Sequence, residues 1–147
     1  MRCLIITALA LIVVACNDND GGDVSPEQQA LDSNQTLWSN QGFTHYQYTY
    51  SVGCFCLPEE NIVVVVEDNV VTDAFYTPSG LALTEERKAR LLIVEELFAI
   101  VQDAIDSEAD ELRVEYDGTR GFPTTIDIDY SHTIADDEIL RRISNFQ

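Results

Sequence analysis

Two blocks of period-two sequence, separated by one stretch of helical period, restrict what this chain can fold into more than any other feature. Tyr46, Tyr48, Tyr50 and Val52 share one side of an extended segment, and His45, Gln47, Thr49 and Ser51 share the other. Residues 43–56 therefore predict a half-buried strand. Residues 62–66 form a β-branched run, Glu67, Asp68 and Asn69 a polar turn, and residues 70–76 a second run, which together predict a hairpin. Thr77, Pro78, Ser79 and Gly80 then break the sheet.

Leu91, Val94, Leu97, Phe98, Val101 and Ile105 recur at helical spacing behind Thr84, Glu85 and Glu86, so one long helix capped by Thr84 is predicted. The second period-two block follows. Leu112, Val114 and Tyr116 alternate with charged residues, residues 117–121 turn, and Ile126, Ile128 and Tyr130 alternate with acids, predicting another hairpin. Residues 138–146 predict a last strand. Upstream, Ser25, Pro26 and Glu27 supply an N-cap, a first-turn proline and an acid at the positive end of a short helix. Its Leu31 and Trp38, seven apart, share the face that packs on the sheet, and Gly42 ends the segment. The resulting order is α-βββ-α-βββ. Strands grouped on either side of one helix point to a single small α+β domain, an antiparallel sheet of about five to six strands with helices packed on it.

The first residues follow different rules. Arg2 is the only charge before residues 4–14, which are uncharged and mostly apolar. At about 1.5 Å per helical residue this run crosses only about half of a bilayer's hydrocarbon core, so it reads as a cleaved secretion signal. Val13, Val14, Ala15 and Cys16 resemble the bacterial lipobox. That resemblance implies alkylation of the Cys16 thiol by a diacylglycerol, cleavage after Ala15, and acylation of the new amino terminus by a palmitate-type chain. Two or more chains anchor a protein stably where one binds reversibly. The expected organisation is a signal peptide over 1–15, a lipidated cysteine and flexible tether over 16–25, and an exported domain over 26–147. Asn17 after the cysteine, by resemblance to enteric lipoproteins, implies sorting to the outer membrane, facing the periplasm.

Charge narrows the partners. Eight Lys and Arg stand against 26 Asp and Glu, and loss of Arg2 with the signal takes the net charge from −18 to −19. Nucleic acid is excluded as a partner, because phosphate binding needs a basic footprint. The membrane is reached through the lipid on Cys16, and the remaining expected partner is an envelope protein or cell-wall component. Residues 17–25 are polar and aperiodic. Asp18, Asp20, Gly21 and Glu27 fall on calcium-loop positions counted from Cys16, but a lipidated cysteine cannot be the first ligand, so the segment reads as linker.

Cys3 leaves with the signal and Cys16 is consumed by lipid, which leaves Cys54 and Cys56 as a possible disulfide. Two residues apart on an extended chain, their Cα atoms stand at the upper limit for closure, so a bend at Gly53 or Pro58 is required. A structural disulfide, a redox- or metal-responsive pair and two separate thiols all stay open. Asp127, Asp129, Asp136, Asp137 and Glu138 form a candidate calcium group if the fold makes them converge. The plainer reading puts Asp127 and Asp129 on a solvent-facing strand surface and lets Asp136 and Asp137 cap a turn or pair with Arg141 and Arg142. The strand tyrosines read as core, and Phe122 in the second hairpin turn reads either as turn filler or as an exposed anchor for a partner. The chain has no GxSxG elbow, phosphate-binding glycine loop or HExxH pair, so no catalytic residue and no cofactor is assigned.

Taken in order, Trp38, Tyr46 to Tyr50, Cys54-Phe55-Cys56, Leu97-Phe98, Val114 to Asp117, Gly121 to Thr124, Ile126 to Asp129 and Asp136 to Glu138 resemble one group of bacterial lipoproteins, the domain-of-unknown-function family numbered 6174. Membership implies an exported or lipid-anchored small domain and carries over no catalytic residues. The expectation is a lipid-anchored envelope lipoprotein acting as a non-enzymatic binding or scaffolding module. The alternative is a redox- or metal-responsive envelope protein working through Cys54 and Cys56.

Overall fold

The computed structural model describes residues 24–53, 60–135 and 137–147. The expected signal peptide, Cys16 and most of the tether, Cys54, Cys56 and Asp136 lie outside the described residues.

Helix α1 (Pro26–Ser39) begins as its sequence predicts: the Ser25 hydroxyl accepts the Gln28 N–H at 3.1 Å, and Pro26 opens the first turn. Leu31 and Trp38 are its buried face. The chain leaves the helix at Asn40, and Gly42 takes a left-handed φ of 66° in the turn beyond. Strand β1 (Tyr46–Gly53) starts later than the predicted residue 43, because Phe43 turns inward against Trp38 instead of joining the alternation. Strands β2 (Asn61–Glu67) and β3 (Val70–Thr77) form the predicted hairpin. Asp68 and Asn69 both have positive φ, 52° and 59°, the backbone of a tight two-residue turn whose twist matches the flanking strands.

The single long helix expected from residue 84 is two helices. Thr84 caps only a four-residue turn, α2 (Glu85–Lys88), and α3 (Val94–Asp106) starts afresh. The cause lies in the strand tyrosines. The Tyr48 hydroxyl donates to the Leu92 carbonyl, the Tyr46 hydroxyl accepts the Val94 N–H at 3.0 Å, and the Glu96 carboxylate accepts the Ile93 N–H at 2.8 Å. Side chains thus take backbone groups that a continuous helix would pair internally. With the chain held this way, Val94, Leu97, Phe98, Val101 and Ala104 face the sheet.

Strands β4 (Glu111–Tyr116) and β5 (Pro123–Asp129) form the second hairpin, whose turn is held by the Asp117 carboxylate accepting the N–H groups of Thr119 and Arg120 at 3.0 and 2.7 Å. Strand β6 (Ile139–Ser144) does not stay at the edge beside β5. It inserts between β5 and β1, giving one six-stranded sheet of order β3-β2-β1-β6-β5-β4 in which every pairing is antiparallel. All helices lie against one face, where Tyr48, Val64, Ile126, Ile128 and Ile143 meet Leu31, Leu97 and Val101. The architecture is the predicted α+β sheet-and-helix domain, a helix followed by a three-stranded meander, twice.

An aromatic cluster closes one end. Phe146 stacks on Phe122 at 4.6 Å between ring centroids and on Tyr46 at 5.2 Å, and meets the edge of Trp38 at 5.6 Å. Phe122 is therefore buried, which corrects its reading as an exposed anchor. Backbone bonds of 3.0 Å in both directions between Gln47 and Gln147 hold Phe146 in place. Beside it Gly121, at φ 86°, lets the hairpin pass under α1: a Cβ there would stand 2.4 Å from the Asn34 carbonyl oxygen. Phe146→Ala is expected to cost roughly 2 to 3 kcal/mol, somewhat less than a fully enclosed phenylalanine. Gly121→Ala is expected to cost about 2 kcal/mol or more through combined φ strain and backbone collision. Urea unfolding of each variant against wild type measures both; an unchanged midpoint for Gly121→Ala would contradict the packing of the turn on α1.

Candidate functional site

Three places on the domain combine polar chemistry with shape. The first is a row of tyrosines under the helices. Successive outward steps along β1 put Tyr46, Tyr48 and Tyr50 on the helix side, and their hydroxyls reach Val94, Leu92 and Arg141. Burial raises all three above the ordinary phenol range, with the Arg141 guanidinium opposing the rise at Tyr50. These rings are core, as their alternation predicts; the Tyr46 and Tyr48 hydroxyls hold the chain between α2 and α3, and the Tyr50 hydroxyl accepts from Arg141 of β6.

The second is the polar end of β5 and β6, where the sequence placed a calcium candidate. Asp127 lies on the sheet face away from the helices and pairs with Arg113 at 3.2 Å. Asp129 binds the His132 Nδ1 at 2.7 Å through one oxygen, while its other oxygen is buried without a hydrogen-bond partner. Both carboxylate oxygens of Asp137 are likewise buried without a partner, so its expected pairing with Arg141 or Arg142 does not form. Glu138 is exposed, and Asp136 lies outside the described residues. Among the described residues, no three His, Cys, Asp or Glu side chains are placed to hold a metal ion. Arg141 was the residue whose position mattered more than its charge. Register with Val52 and Ile126 puts it on the helix face, where its Nε donates to the Tyr50 hydroxyl at 3.2 Å and its Nη1 is buried without a hydrogen-bond partner. The alternation Ile139, Arg141, Ile143 carries that signal in the sequence.

The third is the concave surface between the helices and the sheet. An open cleft of about 550 Å³ separates α1 from the start of α3, bordered by Asp32, Gln35, Trp38, Glu95 and Phe98. Across it the Trp38 Nε1 donates to Glu95 at 2.8 Å, a contact that spacing alone did not suggest. On the other side of α1 a groove of about 420 Å³ follows β4, walled by Pro26 and Ala30 of α1 and Val101 of α3 and floored by Leu112, Val114 and Tyr116. Burial pushes the Tyr116 hydroxyl up to about 12. Its ring stacks on Phe98 at 6.4 Å.

Both kinds of titrating side chain give a pH signature. The hydrogen bond that His132 donates to the Asp129 carboxylate raises the exposed His132 above its ordinary value, so any stabilisation from that pair is present below about pH 6.5 and fades as pH rises through the raised value. An NMR titration should find His132 high and Asp129→Asn should bring it down; no change would refute the pairing. The tyrosines act at the other end. Native values above the unfolded one of about 10 favour the protonated phenols, so stability is retained below pH about 10 and lost as pH climbs toward the raised native values. Phenolate absorbance should therefore appear together with unfolding. A simple titration at the ordinary value in a folded protein would contradict the buried row.

The model of a family of unknown function (DUF6174) matches residues 30–147, from the second turn of α1 through β6 to Gln147. No curated protein and no solved structure matches the chain. The family match covers both meanders and the helices between them, in agreement with the landmarks from Trp38 to Glu138, and the chain is a member of the DUF6174 family.

Proposed function

We propose that this protein is a lipid-anchored lipoprotein of the bacterial cell envelope whose domain binds or positions a partner and performs no chemistry of its own. The observation that carries the anchor is the run of Val13, Val14, Ala15 and Cys16 directly after an uncharged segment too short to span a bilayer. What supports the binding role is the concave surface between α1, α3 and β4, a partly apolar groove on an otherwise acidic domain. The roughly nine residues between Cys16 and Pro26 reach on the order of 15 to 20 Å, which keeps the domain close to one membrane face. Outer-membrane residence facing the periplasm follows from Asn17 under the same reading.

The test is made in bacterial cells. Wild-type protein should partition into the detergent phase, begin at Cys16, and carry the mass of a diacylglycerol plus an acyl chain. Cys16→Ala should leave a protein in the aqueous phase or with its first fifteen residues uncut. A wild-type protein without lipid mass would overturn the anchor. For the partner, photo-crosslinking residues placed around the domain should give discrete adducts in intact cells; an absence of adducts from every position would overturn the binding module.

A further inference from the structure

The two edges of the sheet are treated differently. On the β3 side the chain covers the second half of its own edge strand. The Tyr76 N–H donates to the Leu81 carbonyl at 2.8 Å, the Leu83 N–H donates to the Ala74 carbonyl at 3.1 Å, and Phe75 bridges Ala82. The β4 side has no such cover. Strand β4 ends the sheet order, and among the described residues none of its backbone groups bonds to anything but β5 and its side chains. An uncovered edge is a row of free N–H and C=O groups, a template for one more strand.

The groove described above runs along this edge. Residues 112–116 line it consecutively, so it follows the strand and not one of its faces. Leu112, Val114 and Tyr116 are each only partly covered, and the Tyr116 hydroxyl bonds to no described residue. The other face of β4 is charged. Glu111 and Glu115 are exposed there, and Arg113 between them is shared by Glu111 and Asp127, each at 3.2 Å. Successive residues of a strand point to opposite faces. A strand added beside β4 would therefore send alternate side chains into the partly apolar groove, which Glu27 also borders, and the others toward carboxylates.

We propose that the β4 edge receives an extended segment of a partner protein in which apolar residues alternate with lysine or arginine, adding a seventh strand. Charge selects this occupant over a second copy of the chain. Paired antiparallel about Arg113, two β4 strands would set Glu111 against Glu115 twice, and like charges facing each other across strands are destabilising. The proposal rests on the binding-module reading and names its site and the chemistry of its partner.

The probes are fluorescein-labelled synthetic nonapeptides, measured by polarisation against the purified full-length protein in a non-ionic detergent. A peptide alternating valine and lysine should bind at least tenfold more tightly than one with the same residues in two blocks, one alternating valine and glutamate, or one with proline at its centre. Binding should slow amide exchange in residues 111–116. The double variant Glu111→Lys with Glu115→Lys should reverse the preference toward the valine and glutamate peptide, a gain that misfolding cannot mimic; circular dichroism confirms the fold. Equal binding of the blocked and alternating lysine peptides, or exchange at β4 left unchanged, would overturn the edge site. Cellular crosslinks arising from α1 or the β3 side but never from Arg113 would overturn it too, while leaving the binding-module reading intact.

Discussion

The pairing of the last strand with the first holds this domain together. Without the pairing of β6 with β1, the chain would be two three-stranded sets, each with one helix segment and an exposed central edge. The register from Thr49 opposite Ser144 to Gly53 opposite Leu140 joins them, and the pairing of β6 with β5 completes a single apolar face. Because β1 and β6 are about ninety residues apart in sequence, closing them orders nearly the whole chain, and loop-closure entropy has to be offset by what they bury. The burial is concentrated where Ile143 meets Tyr50 and where Phe146 enters the ring cluster of Trp38, Tyr46 and Phe122. The last residues therefore act as a clasp.

The row of tyrosines does two jobs with one set of side chains. Their rings contribute apolar area to the core, and the hydroxyls of Tyr46 and Tyr48 satisfy backbone groups that the break between α2 and α3 exposes. A buried backbone group left unpaired costs about 1 to 3 kcal/mol, so the break and the hydroxyls depend on each other. Arg141 is the counterpart at the far end of β1, a cation whose stem packs along the helix face and whose Nε meets Tyr50. Burial keeps these phenols protonated, so they serve as donors and acceptors across the ordinary pH range.

Surface charge and edge treatment bear on the same question. A chain of net charge −18 repels copies of itself and most anionic surfaces. One sheet edge is covered over residues 74–76 by residues 81–83, and the other is left with charged outward residues and a partly apolar groove. Edges with interspersed charge resist indiscriminate pairing while remaining available to a complementary strand.

Most of the strands and the start of α1 were legible in the sequence. Alternation of tyrosines, valines and isoleucines specified the strands and their inward faces, because a side-chain period of two leaves one consistent choice of face. Ser25 with Pro26, the turn at Asp68 and Asn69, and the Asp117 turn were readable from local chemistry, since capping and positive φ depend on a few adjacent residues. Only the tertiary fold settled where β6 goes, that the tyrosine hydroxyls interrupt the helix before Val94, that Phe122 is inside, and that Asp137 finds no pairing with Arg141. The groove along β4 belongs to that second group. It exists only because α1, α3 and β4 meet, and local sequence periodicity records which side of each element is apolar but not which other element that side will face.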